Sequence, residues 1–226
     1  MNKLIVIPAR GGSKGIPKKN IYPLNGKPLL SYTLEMITKA CLKDVDVVVS
    51  TDAEDIRRVA LNNKNVFVID RPTALASDKA STEDTLIHAI DIMQKKTGKK
   101  YEAVITLQPT SPLRKAETLE AFINEYEKVA LKYDALVSFS EDRTDFWVLD
   151  AGGEFERLYP DAPRRRQERK PLYRENSAYY ITNVNALFET HSVLGKKAGG
   201  FIISETEGID INEFIDLKVA EAILND

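Results

Sequence analysis

The chain has 226 residues, 43% of them hydrophobic, with 32 lysines and arginines against 34 aspartates and glutamates and a net charge of −2. That is enough apolar material for one α/β domain, or one domain with an insertion, and too little positive charge for a general nucleic-acid binder. A single cysteine, Cys41, excludes a disulfide framework and a multi-cysteine metal site; it reads as a buried helix residue in a protein of the reducing cytoplasm. The opening MNKLIVIPARGGSK turns polar after one short apolar run, so neither a signal peptide nor a membrane span is expected there.

Taken in chain order, five apolar runs read as strands: Leu4–Ile7, Val45–Val49, Val66–Ile69, Ala103–Leu107 and Ala135–Phe139. None alternates with polar residues, as expected of strands buried on both faces of a parallel sheet. Between them, Glu83–Lys95 places Leu86, Ile87, Ile90 and Met93 at helical spacing, and Ala116–Leu131 does so with Leu119, Phe122, Ile123, Tyr126 and Val129. Ser81 followed by Asp84 resembles a helix-capping arrangement. Alternating strands and helices predict a doubly wound, mostly parallel α/β sheet. Ligands of such sheets bind at the carboxyl ends of the strands, so the loops beginning near Arg10, Thr51, Arg71 and Gln108 should share one face.

The alternation stops after Ser140. Phe146–Leu149 and Glu154–Tyr159 flank Ala151-Gly152-Gly153 and read as a hairpin. Arg164–Lys170 (RRRQERK) is too charged for a core, and residues 141–175 are expected to form an inserted hairpin and basic arm. Trp147 and Phe146 there suit either a small satellite core or a contact between subunits. Ala178–Thr182 then reads as a strand and Glu213–Leu224 as a final helix.

The chemistry concentrates after the first strand, in Arg10–Asn20 (RGGSKGIPKKN). Gly11, Gly12 and Gly15 let the backbone turn tightly and bring amides close to a ligand. Arg10, Lys14, Lys18 and Lys19 supply cations and Ser13 a hydroxyl, which together suit a polyphosphate. The spacing fits neither the Walker loop nor the dinucleotide fingerprint. His88 and His191 read as structural, and Asp52 either faces a ligand or caps a helix after Ser50-Thr51.

Ile7–Pro17 (IPARGGSKGIP) with Lys19-Asn20, Asn25–Leu29 (NGKPL), Arg71-Pro72, Leu75–Thr82 (LASDKAST) and Leu107–Arg114 (LQPTSPLR) closely resemble, in order, the motifs of the CMP-sialic acid synthetases, the N-acylneuraminate cytidylyltransferases and their nine-carbon relatives. The resemblance covers nearly the whole chain. It implies a nucleotide-diphospho-sugar transferase-like fold and a homodimer joined through the insertion; the charge balance, the single cysteine and the N-terminal run are what predict a cytoplasmic protein with no nucleic-acid or membrane partner. The reaction it implies joins CTP to a nine-carbon keto sugar acid, with Mg²⁺ or Mn²⁺ as cofactor.

Carried over residue by residue, the resemblance gives the triphosphate to Arg10, Gly11, Gly12, Ser13 and Lys19. Lys19, Arg10 and Asp210 take the catalytic roles. Asn20 meets cytosine, and Arg71, Ala80 and Thr82 hold the nucleoside, with Thr82 standing where some relatives carry serine. The sugar acid would meet Gln108, Arg174, Asn176 and Tyr179. Asp210 and Asn212 would bind the metal. Two positions depart from the pattern: Ser177 replaces a glycine, and Asn212 replaces the second aspartate of Asp-x-Asp. Two alternatives stay open. One is a nucleotidyltransferase using another nucleotide or sugar, such as a guanylyltransferase or a CMP-Kdo synthetase relative, although the latter usually lacks the Gly-Gly-Ser-Lys-Gly run. The other is a non-catalytic nucleotide-binding module.

Overall fold

All five apolar runs form strands of one sheet. The computed structural model describes residues 1–13 and 15–225. In chain order the elements are β1 (Lys3–Pro8), β2 (Pro23–Leu24), β3 (Lys27–Pro28), α1 (Leu29–Lys39), β4 (Val45–Thr51), α2 (Glu54–Leu61), β5 (Val66–Asp70), α3 (Thr73–Ala76), α4 (Thr82–Thr97), β6 (Ala103–Thr106), α5 (Ala116–Val129), β7 (Ala135–Asp142), β8 (Trp147–Leu149), β9 (Phe155–Arg157), β10 (Leu172–Asn183), α6 (Val184–Thr190), β11 (Ala198–Ile202) and α7 (Phe214–Asn225).

The main sheet has seven strands in the order β11-β7-β10-β6-β1-β4-β5. Only β10 runs antiparallel to its neighbours β6 and β7. Successive side chains of a strand point to opposite faces, and here both faces are covered. Ile5, Ile7, Val47, Val49 and Ile105 pack with Leu34 of α1, Ile56 of α2 and Phe122 of α5. Leu4, Val6, Val48 and Val104 pack with Ile90 and Met93 of α4 and Leu187 of α6. Two buried faces explain why the strands read as unbroken apolar runs. Ser81 caps α4 as its sequence suggests, its Oγ accepting from the Asp84 amide at 3.0 Å.

A third, smaller core decides the position of the site. Ile16, from the glycine-rich loop, is fully buried with Leu24, Leu29, Leu113, Ile211, Leu217 and Ala220. Burying an isoleucine removes roughly 1.5–3 kcal/mol of apolar exposure. Ile16 and Ile211 therefore anchor two loops, nearly two hundred residues apart in sequence, against the same face of α7.

Some expectations change. β10 starts at Leu172, so β7 and β10 already belong to the main sheet at the boundaries assigned to the insertion, and the excursion from the sheet runs over residues 143–171. Cys41 is exposed and lies beyond the end of α1, not buried in a helix. The basic arm folds back on itself: Arg157, Arg164 and Arg169 all pair with Asp145. The β8–β9 hairpin leaves Trp147 (52%), Leu149 (61%) and Phe155 (71%) exposed, so no satellite core forms around them. Among the described residues no helix is long and apolar enough to cross a membrane.

Candidate active site

The carboxyl ends of β1, β4, β5 and β6 are stitched together by backbone hydrogen bonds. The Ala9 amide donates to the Ser50 carbonyl at 3.0 Å, the Arg71 amide to Thr51 at 2.8 Å, and the Leu107 amide to Val6 at 3.1 Å. The Ile211 amide donates to the Thr110 carbonyl at 2.7 Å and brings the late loop to the same edge. Over this edge lies a cavity of about 440 Å³. Arg10, Ser13, Gly15, Lys19, Asn20, Arg71, Ala80, Thr82, Gln108, Asp210 and Asn212 all line it. Residues up to about two hundred positions apart in sequence thus converge where the strand-end rule places a ligand.

The glycine-rich loop is held at several points. The Gly11 amide donates to Asp52 Oδ1 at 2.8 Å, so Asp52 grips the loop and does not cap α2, whose N-cap Ala53 makes no side-chain bond. A Cβ on Gly11 would come within 2.8 Å of the Ala53 Cβ, and one on Gly15 within 2.7 Å of the Asn212 carbonyl oxygen. A Cβ on Gly12 would meet nothing within 4 Å among the described residues. Gly15 is therefore a point of close backbone approach between the loop and the Asp210–Asn212 segment. Gly15→Ala must part these segments by several tenths of an ångström. It is expected to lower kcat/KM about 100-fold, since small misplacements of reacting groups cost that much, while far-ultraviolet circular dichroism stays unchanged.

The cations do not all serve the cavity. Lys18 takes a left-handed conformation (φ 52°) and turns outward to Asp55 at 2.7 Å. Lys14 lies outside the described residues. Lys19 turns inward, its Nζ donating to the Ile211 carbonyl at 2.8 Å and to Asn212 Oδ1 at 3.3 Å. Desolvation lowers the Lys19 ammonium below the ordinary lysine value, and Asp210 and Asp216 pull it partly back. The Arg10 guanidinium donates to Asp78 Oδ1 at 2.7 Å and to the Ala76 carbonyl at 3.3 Å. Arg71 is buried, donates from Nη2 to the Ser50 carbonyl at 2.8 Å, and is lowered by desolvation to about 10, so it stays charged at neutral pH. Asn20, also buried, donates to the Arg10 carbonyl at 2.9 Å and braces the loop from within.

Asp210 and Asn212 form the anionic corner. Asn212 Nδ2 donates to Asp210 Oδ2 at 2.8 Å, while Asp210 Oδ1 is buried with no hydrogen-bond partner among the described residues. An unpartnered buried carboxylate oxygen is costly unless something positive approaches it. The described residues assemble no group of three or more His, Cys, Asp or Glu able to hold a metal. The Asp210 carboxylate and the Asn212 carbonyl oxygen are donor types suited to a hard cation, whose remaining ligands would be water or phosphate oxygens.

A second cavity, about 610 Å³, shares Asp210 and Asn212 with the first. Arg174, Asn176 and Ser177 line it, with Ile209, Val219 and Ile223. The structure separates the four residues assigned to the sugar. Gln108 is in the first cavity and Arg174 in the second. Asn176 is buried at the wall of the second, its amide engaged with Ser138 and Ser140. Tyr179 is fully buried, its ring in the main core against Phe122, and lines neither cavity. Its hydroxyl reaches the Lys115 carbonyl at 3.4 Å and Glu207 at 3.5 Å.

Two residues at the site carry roles that residue type alone did not mark. Asp78 pairs with Arg10. Arg114 is buried and donates to the Gln108 carbonyl at 2.6 Å, the Ala178 carbonyl at 2.8 Å and Thr33 Oγ1 at 2.7 Å, tying β6 to β10. The only signal for either was its place inside a recurring motif. The arrangement can bind a polyphosphate beside a divalent cation and hold a second polar ligand next to it.

Comparison with known proteins identifies the family. The model of a family described as cytidylyltransferase matches residues 4–204. A protein of Legionella pneumophila named CMP-N,N'-diacetyllegionaminic acid synthase is 32% identical, over 99% of this chain and 97% of its own length. The N-acylneuraminate cytidylyltransferase of an Escherichia coli O18:K1:H7 strain is 30% identical over 97% of this chain, which spans only 51% of that relative. The chain thus covers about half the length of some relatives and nearly all of others. A solved structure of CMP:2-keto-3-deoxy-manno-octonic acid synthetase complexed with CTP superposes with a TM-score of 0.69, covering 100% of this chain and 99% of that one at 16% identity, a likeness of fold.

Proposed function

The chain belongs to the cytidylyltransferase family, and from that premise we propose that it transfers CMP from CTP to a nine-carbon keto sugar acid of the sialic type, releasing pyrophosphate. The observation that carries this reading is the joining of the two cavities at Asp210 and Asn212. One cavity has the cations and glycine-rich loop for a triphosphate, and the other has room for the acceptor. The acceptor's anomeric hydroxyl attacks the α-phosphorus and loses its proton to solvent, the bond from the α-phosphorus to the bridging oxygen breaks, and pyrophosphate leaves. Arg10 and Lys19 neutralise the phosphates and hold them for in-line attack. Asn20 and Arg71 hold the nucleoside with Ala80 and Thr82, Gln108 faces the sugar acid from the first cavity, and Arg174 pairs with its carboxylate. Asp210 and Asn212 would hold Mg²⁺ or Mn²⁺, which when bound would polarise the phosphate oxygens.

The test is pyrophosphate release measured with each of the four nucleoside triphosphates and a panel of nonulosonic acids. Release with CTP, Mg²⁺ and an acylated acid is expected. Release with another nucleotide alone, or with no acid at all, defeats the proposal. The lone Cys41 suits a reducing cytoplasm.

We also assign the exposed hairpin at residues 146–159 to a homodimer contact. Trp147, Leu149 and Phe155 together present an apolar surface of the kind that marks interaction sites. Leu149→Asp with Phe155→Asp is expected to convert a dimer to a monomer of unchanged circular dichroism. A parent that sediments as a monomer removes the assignment.

A further inference from the structure

Strand β10 is irregular: its register against β7 shifts between Glu175 and Tyr180. Asn176 pins the irregularity. Its Oδ1 accepts from Ser138 Oγ at 2.6 Å and from the Ala178 amide at 3.2 Å, and its Nδ2 donates to Ser140 Oγ at 2.9 Å. Gly208 closes over these groups, and a Cβ there would lie 2.5 Å from Ser140 Oγ and 2.9 Å from Asn176 Nδ2. With Asn176 drawn inward, the next residue is left at the second cavity. Ser177 lines that cavity at φ 58°, in a region that glycine enters freely and other residues rarely enter. A side chain kept in such a conformation points to a use for it.

The surroundings indicate the use. The Tyr180 hydroxyl donates to the Glu175 carboxylate and lies 3.4 Å from Ser177 Oγ. The one phenolic proton is committed to Glu175, so the 3.4 Å contact does not fix the Ser177 hydroxyl, whose own proton is available to a ligand in the cavity. Glu175, which lines the same cavity, repels an anion there, so a ligand oxygen meeting that proton is a neutral one, such as an amide carbonyl, and not the carboxylate of a sugar acid. Ile209, Val219 and Ile223 in the same wall offer apolar surface to a methyl group.

We propose that Ser177 is a specificity-determining residue that donates a hydrogen bond to the carbonyl oxygen of an acylamino substituent on the acceptor. The inference rests on the acceptor reading given above and adds which part of the acceptor is read. Arg174 remains for the carboxylate, and the polar edge formed by Tyr180, Glu175 and Ser177 selects the acyl arm.

Two variants test this. Ser177→Gly suits the backbone conformation and should fold at least as well as the parent, as followed by thermal melting; Ser177→Ala keeps the Cβ and removes only the hydroxyl. Each is assayed by pyrophosphate release from CTP with two acceptors, an acylamino nonulosonic acid and its analogue bearing hydroxyl in place of the acylamino group. The parent is expected to prefer the acylated acid. Both variants should lose about tenfold in kcat/KM for it, the loss expected for one hydrogen bond, with the KM for CTP and turnover of the hydroxyl analogue unchanged. An unchanged preference between the two acids, or an equal loss on both, overturns the role of Ser177 and leaves the reaction standing. A parent that transfers CMP to neither acid, nor to any other in the panel, overturns the reading of the reaction and this inference with it.

Discussion

Lys19→Met is expected to lower kcat/KM about 10²–10³-fold, the cost of removing one preorganised group that stabilises developing charge. The ammonium is held at a fixed point by the Ile211 carbonyl, 2.8 Å away, and Asn212 Oδ1, 3.3 Å away. Both partners belong to the loop that carries Asp210, so Lys19 ties the phosphate-binding side of the site to its anionic corner. Burial lowers the Lys19 pKa from the ordinary value of 10.5. The protonated form is the useful one. Activity should therefore fall as pH rises through that lowered value, earlier than for a solvated lysine. Lys19→Arg carries a charge that does not titrate in this range. It should work more slowly at neutral pH because the fork does not match the ammonium's contacts, and its alkaline limb should move upward. A pH–rate profile of parent and Lys19→Arg checks this. Coincident alkaline limbs would show that some other group titrates.

How much of this was legible in the sequence follows from what each residue's neighbours are. Leu4–Ile7 and Val45–Val49 were readable as strands because helices cover both faces of the sheet and leave no polar alternation to confuse the pattern. β11 was not readable: Ala198–Ile202 contains two glycines and lies at the sheet's edge, where little packing selects apolar residues. The first half of β10 was read as part of the insertion because Tyr173, Arg174 and Glu175 are exposed and polar, although they pair with β7.

The site divides along the same line. The loop from Arg10 to Asn20 was legible because glycines and cations side by side have few other uses, yet composition could not distinguish Lys18, which turns to Asp55, from Lys19, which turns inward. That choice is made by the left-handed turn at Lys18 and the buried Ile16. Asn176 and Tyr179 show the limit most clearly. In a strand, a shift of one residue exchanges the two faces. The irregularity between Glu175 and Tyr180 thus decides which side chains of this segment see the cavity, and no spacing rule foretells it. Ser177 faces the cavity, and Tyr179 is sealed in the core.

The Asp210–Asn212 pair carries the second large effect. Asp210→Asn is expected to lower kcat about 100-fold or more and to raise sharply the Mg²⁺ concentration for half activity, because the remaining donors would then be neutral carbonyl oxygens. The basis is Asp210 Oδ1, buried without a partner, beside Oδ2, which accepts from Asn212 at 2.8 Å. Asn212→Asp should act in the opposite sense. It replaces an N–H donor by a second carboxylate, so without divalent cation the two anions repel and the melting temperature should fall. Adding Mg²⁺ should then raise it more than in the parent, since a ligand stabilises in proportion to how much better it binds the folded state. The Mg²⁺ requirement for half activity should drop about tenfold, equivalent to about 1.4 kcal/mol of added affinity. Melting curves with and without Mg²⁺ separate this from a change confined to turnover. If the Mg²⁺-induced shift is the same in the parent, Asp210→Asn and Asn212→Asp, the cation is held elsewhere. The carboxylate at 210 would then serve chiefly to hold the ammonium of Lys19 in its desolvated position.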